Sequence, residues 1–152
     1  ISVGPGSFTG LRIGVTVVKG LAYALKKKIV AVPTLDVIAD NAKSFKGVIC
    51  PVLDARKNKV YACLYKSDGK TVKKISKYLL LPLDELLKQL SEYDKVTLLG
   101  DTGNNNFSKD WHPKAEVVAR LGAEYHKDKK FVKAEDLEPL YLYSHECDIT
   151  GR

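Results

Sequence analysis

The sequence predicts an α/β fold with an antiparallel component. Three observations carry this reading: a glycine-rich bend opening into a long helical pattern, three later β-rich segments joined by tight turns, and three helical patterns started by proline. The 152 residues suit a single domain, and two small packed lobes fit that length equally well. A composition of 45% hydrophobic and 28% charged residues is that of a globular protein. No apolar run approaches the roughly 18 residues of a membrane span, so no membrane partner is expected. Cys50, Cys63 and Cys147 form an odd set without a Cys-x-x-Cys pair. That pattern argues against a disulfide framework or zinc knuckle and for a reducing, cytoplasmic setting. The opening Ile1-Ser2-Val3-Gly4 has no initiator Met and no signal-peptide features, as expected of a fragment or processed chain.

Residues 1–3 read as the end of a strand that enters the turn cluster Gly4-Pro5-Gly6-Ser7, followed by a helix to about Lys27. At about 100° per residue, Arg12, Thr16, Lys19, Tyr23 and Lys26 form one narrow polar stripe, leaving an apolar arc of roughly 200°. That arc is wider than one-sided burial requires. It divides into one flank of Leu11, Val15, Val18, Ala22 and Leu25 and another of Ile13, Val17 and Ala24. With Gly10 and Gly14 near its centre, the first flank is expected to face a partner, together with Leu35 and Ile38 of the next helix.

Residues 29–32 form a short strand, and Pro33-Thr34 opens that second helix, with Leu35, Ile38, Ala39 and Ala42 apolar. A lobe boundary falls near Gly47, giving a first lobe of residues 1–46 and a second of 47–152. Residues 48–54, 60–65 and 72–80 then read as an antiparallel meander. In its middle strand Val60, Ala62 and Leu64 alternate with Tyr61, Cys63 and Tyr65, so helices should cover both faces and Cys63 should be core. Pro82 starts a helix with Leu83, Leu86, Leu87 and Leu90, and residues 96–99 form a strand stopped by Gly100-Asp101-Thr102-Gly103. Pro113 starts the last helix, with Val117, Val118, Leu121 and Tyr125, and residues 137–143 are a final apolar run.

The sharpest local signal is Gly4-Pro5-Gly6-Ser7-Phe8-Thr9-Gly10-Leu11-Arg12-Ile13-Gly14. Two readings stand. Gly4, Gly6, Ser7, Thr9 and Gly10 could form a phosphate-binding loop at a helix amino terminus. Alternatively, the glycines supply unusual backbone angles and Ser7 or Thr9 caps the helix. The Gly-Lys-Ser/Thr ending of a Walker loop is absent, as is a Gly-x-Ser-x-Gly elbow. Asp54 and Asp101, each beside a turn, fit either a magnesium-assisted phosphoryl site or turn initiation. His112, His126 and His145 have no ligand spacing. The formal charge of +7 is uneven: seven Lys or Arg against two Asp up to Lys46, and 18 against 16 beyond it. This early excess, with Lys26, Lys27 and Lys28 at a helix end, suits either an RNA or acidic surface or compensation of the helix dipole.

The eleven-residue glycine segment resembles the signature of the TsaB (YeaZ) family, and further stretches follow in the family's order. These are residues 30–35, Asp54-Ala55-Arg56 with Val60-Tyr61, Leu99-Gly100-Asp101, Pro113-Lys114-Ala115 and Glu138-Pro139-Leu140-Tyr141-Leu142. In the last motif an Arg usually follows, where this chain has Tyr143. The resemblance implies an actin-like ATPase fold of two lobes, the first incomplete at its amino terminus. It also implies a non-catalytic scaffold that binds the catalytic paralogue TsaD, works with the ATPase TsaE and supports threonylcarbamoyl transfer to adenosine 37 of tRNA. TsaD-like sequences carry two metal-binding His residues where this chain has Thr34 and Ile38, so no metal site and no catalytic residue of its own are expected. The same resemblance implies no cofactor of its own, with ATP or ADP possible only at the junction with TsaD. It implies a homodimer when TsaD is missing, and tRNA reached indirectly. A nucleotide-dependent phosphotransferase or hydrolase using Gly6, Asp54 and Asp101, and a tRNA-binding module, are the competing expectations.

Overall fold

The computed structural model describes residues 1–102 and 111–142. In chain order the elements are α1 (Phe8–Leu25), α2 (Thr34–Asn41), β1 (Lys46–Asp54), β2 (Lys59–Ala62), β3 (Tyr65–Asp68), β4 (Val72–Lys74), β5 (Leu79–Pro82), α3 (Leu83–Leu90), β6 (Val96–Asp101) and α4 (Ala115–Lys127). Gly103, Tyr143, His145 and Cys147 lie outside the described residues.

Ahead of the sheet, the two short extended segments pair in parallel through a Ser2–Val32 bridge. The Val32 amide donates to the Ile1 carbonyl at 2.8 Å, and the Val3 amide donates to the Val32 carbonyl at 3.0 Å. Alternation along these segments buries both sides. Val3 and Ile29 pack with Val15 and Leu137 toward α1, while Val32 packs with Val37 and Val117 toward α2 and α4.

The six-stranded sheet is built around β1. Its amino-terminal half pairs antiparallel with β3, its carboxy-terminal half pairs antiparallel with β2, and its other edge pairs in parallel with β6. β2 and β3 together form one strand beside β1, interrupted at Cys63 and Leu64. The interruption has a cause in the sequence, since buried Pro51 stands opposite it and has no N–H to give the ladder. On the outer side, Tyr65 pairs with Lys74 and Ala62 with Leu79, so the four residues 75–78 face the two residues 63 and 64. The Ser76 hydroxyl occupies this bulge and accepts the Leu64 amide at 2.9 Å. The expected three-strand meander is therefore present, each of its last two strands broken once.

Helices cover both faces of that sheet. Val48, Cys50, Val52, Val60, Ala62 and Leu64 meet Leu86 and Leu90 of α3 on one side. On the other, Ile49, Cys63, Tyr65 and Leu99 meet Leu35, Ile38 and Ala39 of α2. Burial pushes the Cys50 thiol up to about 12 and that of Cys63 upward, so both are inert packing groups.

By length and composition α1 could cross a membrane, which corrects the expectation that no segment reaches that threshold. Two residues of its polar stripe are engaged by a later segment: the Arg12 Nε donates to the Tyr141 hydroxyl at 3.2 Å, and Lys19 Nζ to the Glu135 carbonyl at 3.4 Å. The helix lies against the strand pair, with Val15 buried.

Gly100 is the residue on which the parallel β1–β6 contact turns. Its φ is +145°, and a Cβ there would sit 1.7 Å from the Val52 carbonyl oxygen. Gly100→Ala is expected to destabilise the fold by about 3–5 kcal/mol, whereas Gly6→Ala, which meets nothing within 4 Å, is expected to change it by less than about 0.5 kcal/mol. Urea denaturation of the two variants measures both.

Candidate functional site

The glycine-rich loop is held from three directions. Gly4 has φ +105°, and a Cβ on it would meet Leu11 Cδ1 at 2.8 Å, so this glycine is sterically required. Its carbonyl accepts the Thr34 amide at 2.7 Å, and the Val3 carbonyl accepts the Leu140 amide at 2.7 Å. Ser7 is the N-cap of α1, its hydroxyl accepting the Gly10 amide at 3.3 Å. Arg12 lies 3.8 Å over the Phe8 ring while bonding Tyr141, whose own ring is 6.0 Å from Phe8. Two motifs, whose Arg12 and Tyr141 lie 129 residues apart, thus close on one another. Gly6, Ser7 and Thr9 are exposed, and the bonds of this loop are those of a capped helix entrance.

The structure reverses the two flanks of α1. Val15 is buried and Leu11, Val18 and Ala22 are half-buried, with Val15, Val18 and Ala22 packed against the strand pair and the carboxy-terminal segment. Leu35 and Ile38 are wholly enclosed between α2 and the sheet. None of these six residues forms a free docking face, and of the expected set only Leu25, 61% exposed, stands outward. The outward flank consists of Ile13, Val17 and Leu21, at 60%, 53% and 55% exposure, with exposed Ala24 beside them. Gly20 on the same side has no neighbour within 4 Å. Of the polar stripe, Arg12 and Lys19 bond Tyr141 and the Glu135 carbonyl, while Thr16, Tyr23 and Lys26 are exposed.

Thr34 is buried, its hydroxyl 2.9 Å from that of Ser2, and Ile38 is core. The strand register sets Leu53 beside Asp101, which brings Asp54 and Asp101 to the carboxyl ends of neighbouring parallel strands. Asp54 Oδ1 accepts the Arg56 amide at 2.9 Å, and Arg56, Lys57 and Asn58 all have positive φ. This carboxylate initiates an unusually tight turn. His112 stacks on Trp111 at 4.2 Å, and His126 meets the Phe131 ring edge-on at 5.0 Å.

The sequence reading missed a polar hub on α2. Asp36 Oδ1 accepts hydroxyl bonds from Tyr65 at 2.5 Å and Tyr78 at 2.8 Å, and Oδ2 accepts one from Tyr125 at 3.0 Å. Lys74 Nζ extends the network to the Tyr78 hydroxyl at 2.8 Å, and one turn along α2 the Arg120 guanidinium of α4 pairs with Asp40. Burial, and then the Asp36 carboxylate, push all three tyrosine hydroxyls above their ordinary range. The available signal was modest: an Asp in the first turn of an otherwise apolar helix face.

The geometry defines a mixed α/β protein whose capped glycine loop is closed by Leu140 and Tyr141. The model of the TsaD family, tRNA N6-adenosine threonylcarbamoyltransferase, matches residues 1–131. The chain is 32% identical over 164 residues to the tRNA threonylcarbamoyladenosine biosynthesis protein TsaB of Bacillus subtilis (strain 168), covering 97% of this chain and 70% of that protein. It is 30% identical over 155 residues to TsaB of Escherichia coli (strain K12), covering 91% and 67%. Among solved structures, YeaZ from Pseudomonas aeruginosa superposes with a TM-score of 0.72 at 24% identity, over 93% of this chain and 72% of that one. The chain belongs to the TsaB (YeaZ) family.

Removing the hub carboxylate leaves three hydroxyls without their acceptor. Asp36→Ala is expected to cost about 2–4 kcal/mol and Tyr78→Phe about 1 kcal/mol in urea denaturation. The tyrosines hold their protons more tightly in the folded chain than in the unfolded one. Their stabilisation is therefore complete below the ordinary tyrosine value of about 10 and is lost as pH rises above it. Asp36→Ala should flatten that alkaline decline in melting temperature.

Proposed function

We propose that the protein is a non-catalytic subunit of tRNA threonylcarbamoyladenosine biosynthesis, which binds TsaD through the outward flank of α1. The observation that carries this reading is the row Ile13, Val17, Leu21 and Leu25, all more than half exposed on one helix of 18 residues. Large apolar side chains grouped in this way mark an association surface. The open Gly20 position beside them allows a second helix to approach closely. The names of the relatives support the pathway.

In this reading the chain has the two-lobed actin-like architecture, with residues 1–46 in the first lobe and 47–152 in the second. It acts in the cytoplasm, with TsaE joining the larger complex and any ATP or ADP held at its junction with TsaD. Without TsaD the same flank pairs with a second copy about a two-fold axis. The chemistry of the local residues supports a supporting role: Thr34 is committed to Ser2, Ile38 offers no donor atom, and Asp54 is committed to its turn. The protein alone is expected to show no ATP hydrolysis or threonylcarbamoyl transfer above background, with transfer appearing when TsaD and TsaE are added.

A phosphotransferase reading draws on the adjacency of Asp54 and Asp101 at the strand ends. Magnesium-dependent turnover by the protein alone, abolished by Asp101→Ala, would establish that reading instead.

The docking face is tested by two charge insertions on opposite flanks of α1. Val17→Glu should leave a folded protein that no longer co-purifies with TsaD, having lost several kcal/mol of association. Ala22→Glu should unfold or strongly destabilise the chain, because it places a carboxylate among Val3, Val15 and Leu137. Undiminished TsaD binding by folded Val17→Glu would refute the assignment.

A further inference from the structure

The topology gathers lysines that are distant in sequence. Lys26, Lys27 and Lys28 follow α1, and Lys127, Lys129, Lys130 and Lys133 follow or end α4. The antiparallel Ile29–Val132 bridge, with the Val132 amide donating to the Ile29 carbonyl at 3.0 Å, brings the two groups side by side. Lys28 Nζ reaches across to lie 4.3 Å from the Phe131 ring centre, and Lys130 Nζ lies 4.8 Å from that of Tyr125. All seven lysines are exposed. Residues 26–28 and 126–133 contain these seven against one acid, Asp128, a net +6 in a chain whose total is +7. Acidic residues resume only at Glu135 and Asp136.

Two bland accounts fall short in magnitude. The carboxyl ends of α1 and α4 each present about half a negative charge, so dipole compensation accounts for about one of the six. Internal ion pairing takes nothing further from the six, because among the described residues only Lys130 of the seven has a carboxylate within ion-pair distance, and that carboxylate, Asp128 at 2.9 Å, is already counted in the net charge. The remainder is an uncompensated field that repels itself and costs stability. Its form, lysines interleaved with Tyr125, His126 and Phe131, suits a polyanion that also offers flat faces.

We infer that this lysine ridge at the ends of α1 and α4 is a direct contact surface for the phosphate backbone of RNA. Lysine is a point charge without bidentate geometry, so the contact positions an RNA and does not read its bases. The inference rests on the tRNA-modification reading only for the choice of probe. Retention on TsaD is measured on the same variants, so that failure of either idea is separately visible.

The experiment titrates the protein into a fluorescein-labelled, unmodified tRNA transcript across a salt series. With about six phosphates neutralised, affinity should fall roughly a thousandfold between about 50 and 200 mM KCl. The variant Lys27→Glu, Lys28→Glu, Lys133→Glu should lose at least about tenfold in affinity and about three in the log–log salt slope, with unchanged circular dichroism and unchanged TsaD retention. Should that triple variant misfold, the neutralising pair Lys127→Gln, Lys129→Asn, whose Asn tolerates the positive φ of 58° at position 129, should reduce the slope by about two. A control reversing Lys66, Lys73 and Lys77, exposed lysines in and beside the β3–β4 hairpin, should bind as the parent does. Three results would each overturn the inference: no binding at low salt, equal loss in the control, or displacement of tRNA by poly-glutamate at matched charge. The last would reassign the ridge to an acidic polypeptide.

Discussion

The Asp36 carboxylate is the point from which the described fold is held together. It sits on a helix of only eight residues, too short to be stable alone, so α2 persists because of what it touches. Its apolar residues Leu35, Ile38 and Ala39 press on the sheet, and Val37 presses on the Val32–Val117 cluster. Asp36 supplies what packing cannot, which is direction. Three hydroxyls from β3, from the bulge at residues 75–78 and from α4 converge on its two oxygens. Each of those tyrosines is large enough to fill space between layers and needs one acceptor when buried. A single anion serving all three fixes the spacing of sheet, α2 and α4 together, and the Asp40–Arg120 pair repeats the link one turn on.

Much of the architecture was legible because burial on two faces leaves a clear alternation. Val60, Ala62 and Leu64 against Tyr61, Cys63 and Tyr65 predicted helices on both sides of one strand, and the two sets do meet α3 and α2 respectively. The breaks within the meander were less legible. Pro51 announces one of them, since a proline inside a strand must leave a partner without its donor. The compensating bulge and the Ser76 hydroxyl that fills it depend on register, which no local pattern encodes.

The orientation of α1 shows where periodicity stops being informative. Leu11, Val15, Val18 and Ala22 repeat at the same spacing as Ile13, Val17, Gly20 and Ala24, so hydrophobic pattern alone cannot choose between the two rows. Gly10 and Gly14 pointed to the first row as a face of close approach, and no local pattern shows that Arg12 and Lys19, long basic side chains beside it, span apolar surface to reach polar partners. Here those partners are Tyr141 and the Glu135 carbonyl, contributed by a segment more than a hundred residues away. The Asp36 hub was hidden for the same reason: its four members lie in four separate stretches of sequence, each unremarkable alone.

Charge followed a different logic from packing. Counted along the chain, the excess lay in the first third and the remainder was nearly neutral, because lysines after residue 126 were averaged against acids elsewhere. Folding undoes that average. The Ile29–Val132 bridge sets one lysine group beside the other, at the end of the helix whose exposed flank is apolar. Leu25 closes that flank, and the left-handed Lys26 (φ 49°) turns the chain from it into the ridge. The two proposed surfaces are therefore contiguous, and a protein docked on α1 would border an RNA lying along the lysines. In the proposed supporting role, that adjacency gives the chain a physical means of aiding a reaction carried out elsewhere, which is to hold a protein partner and an RNA against neighbouring faces.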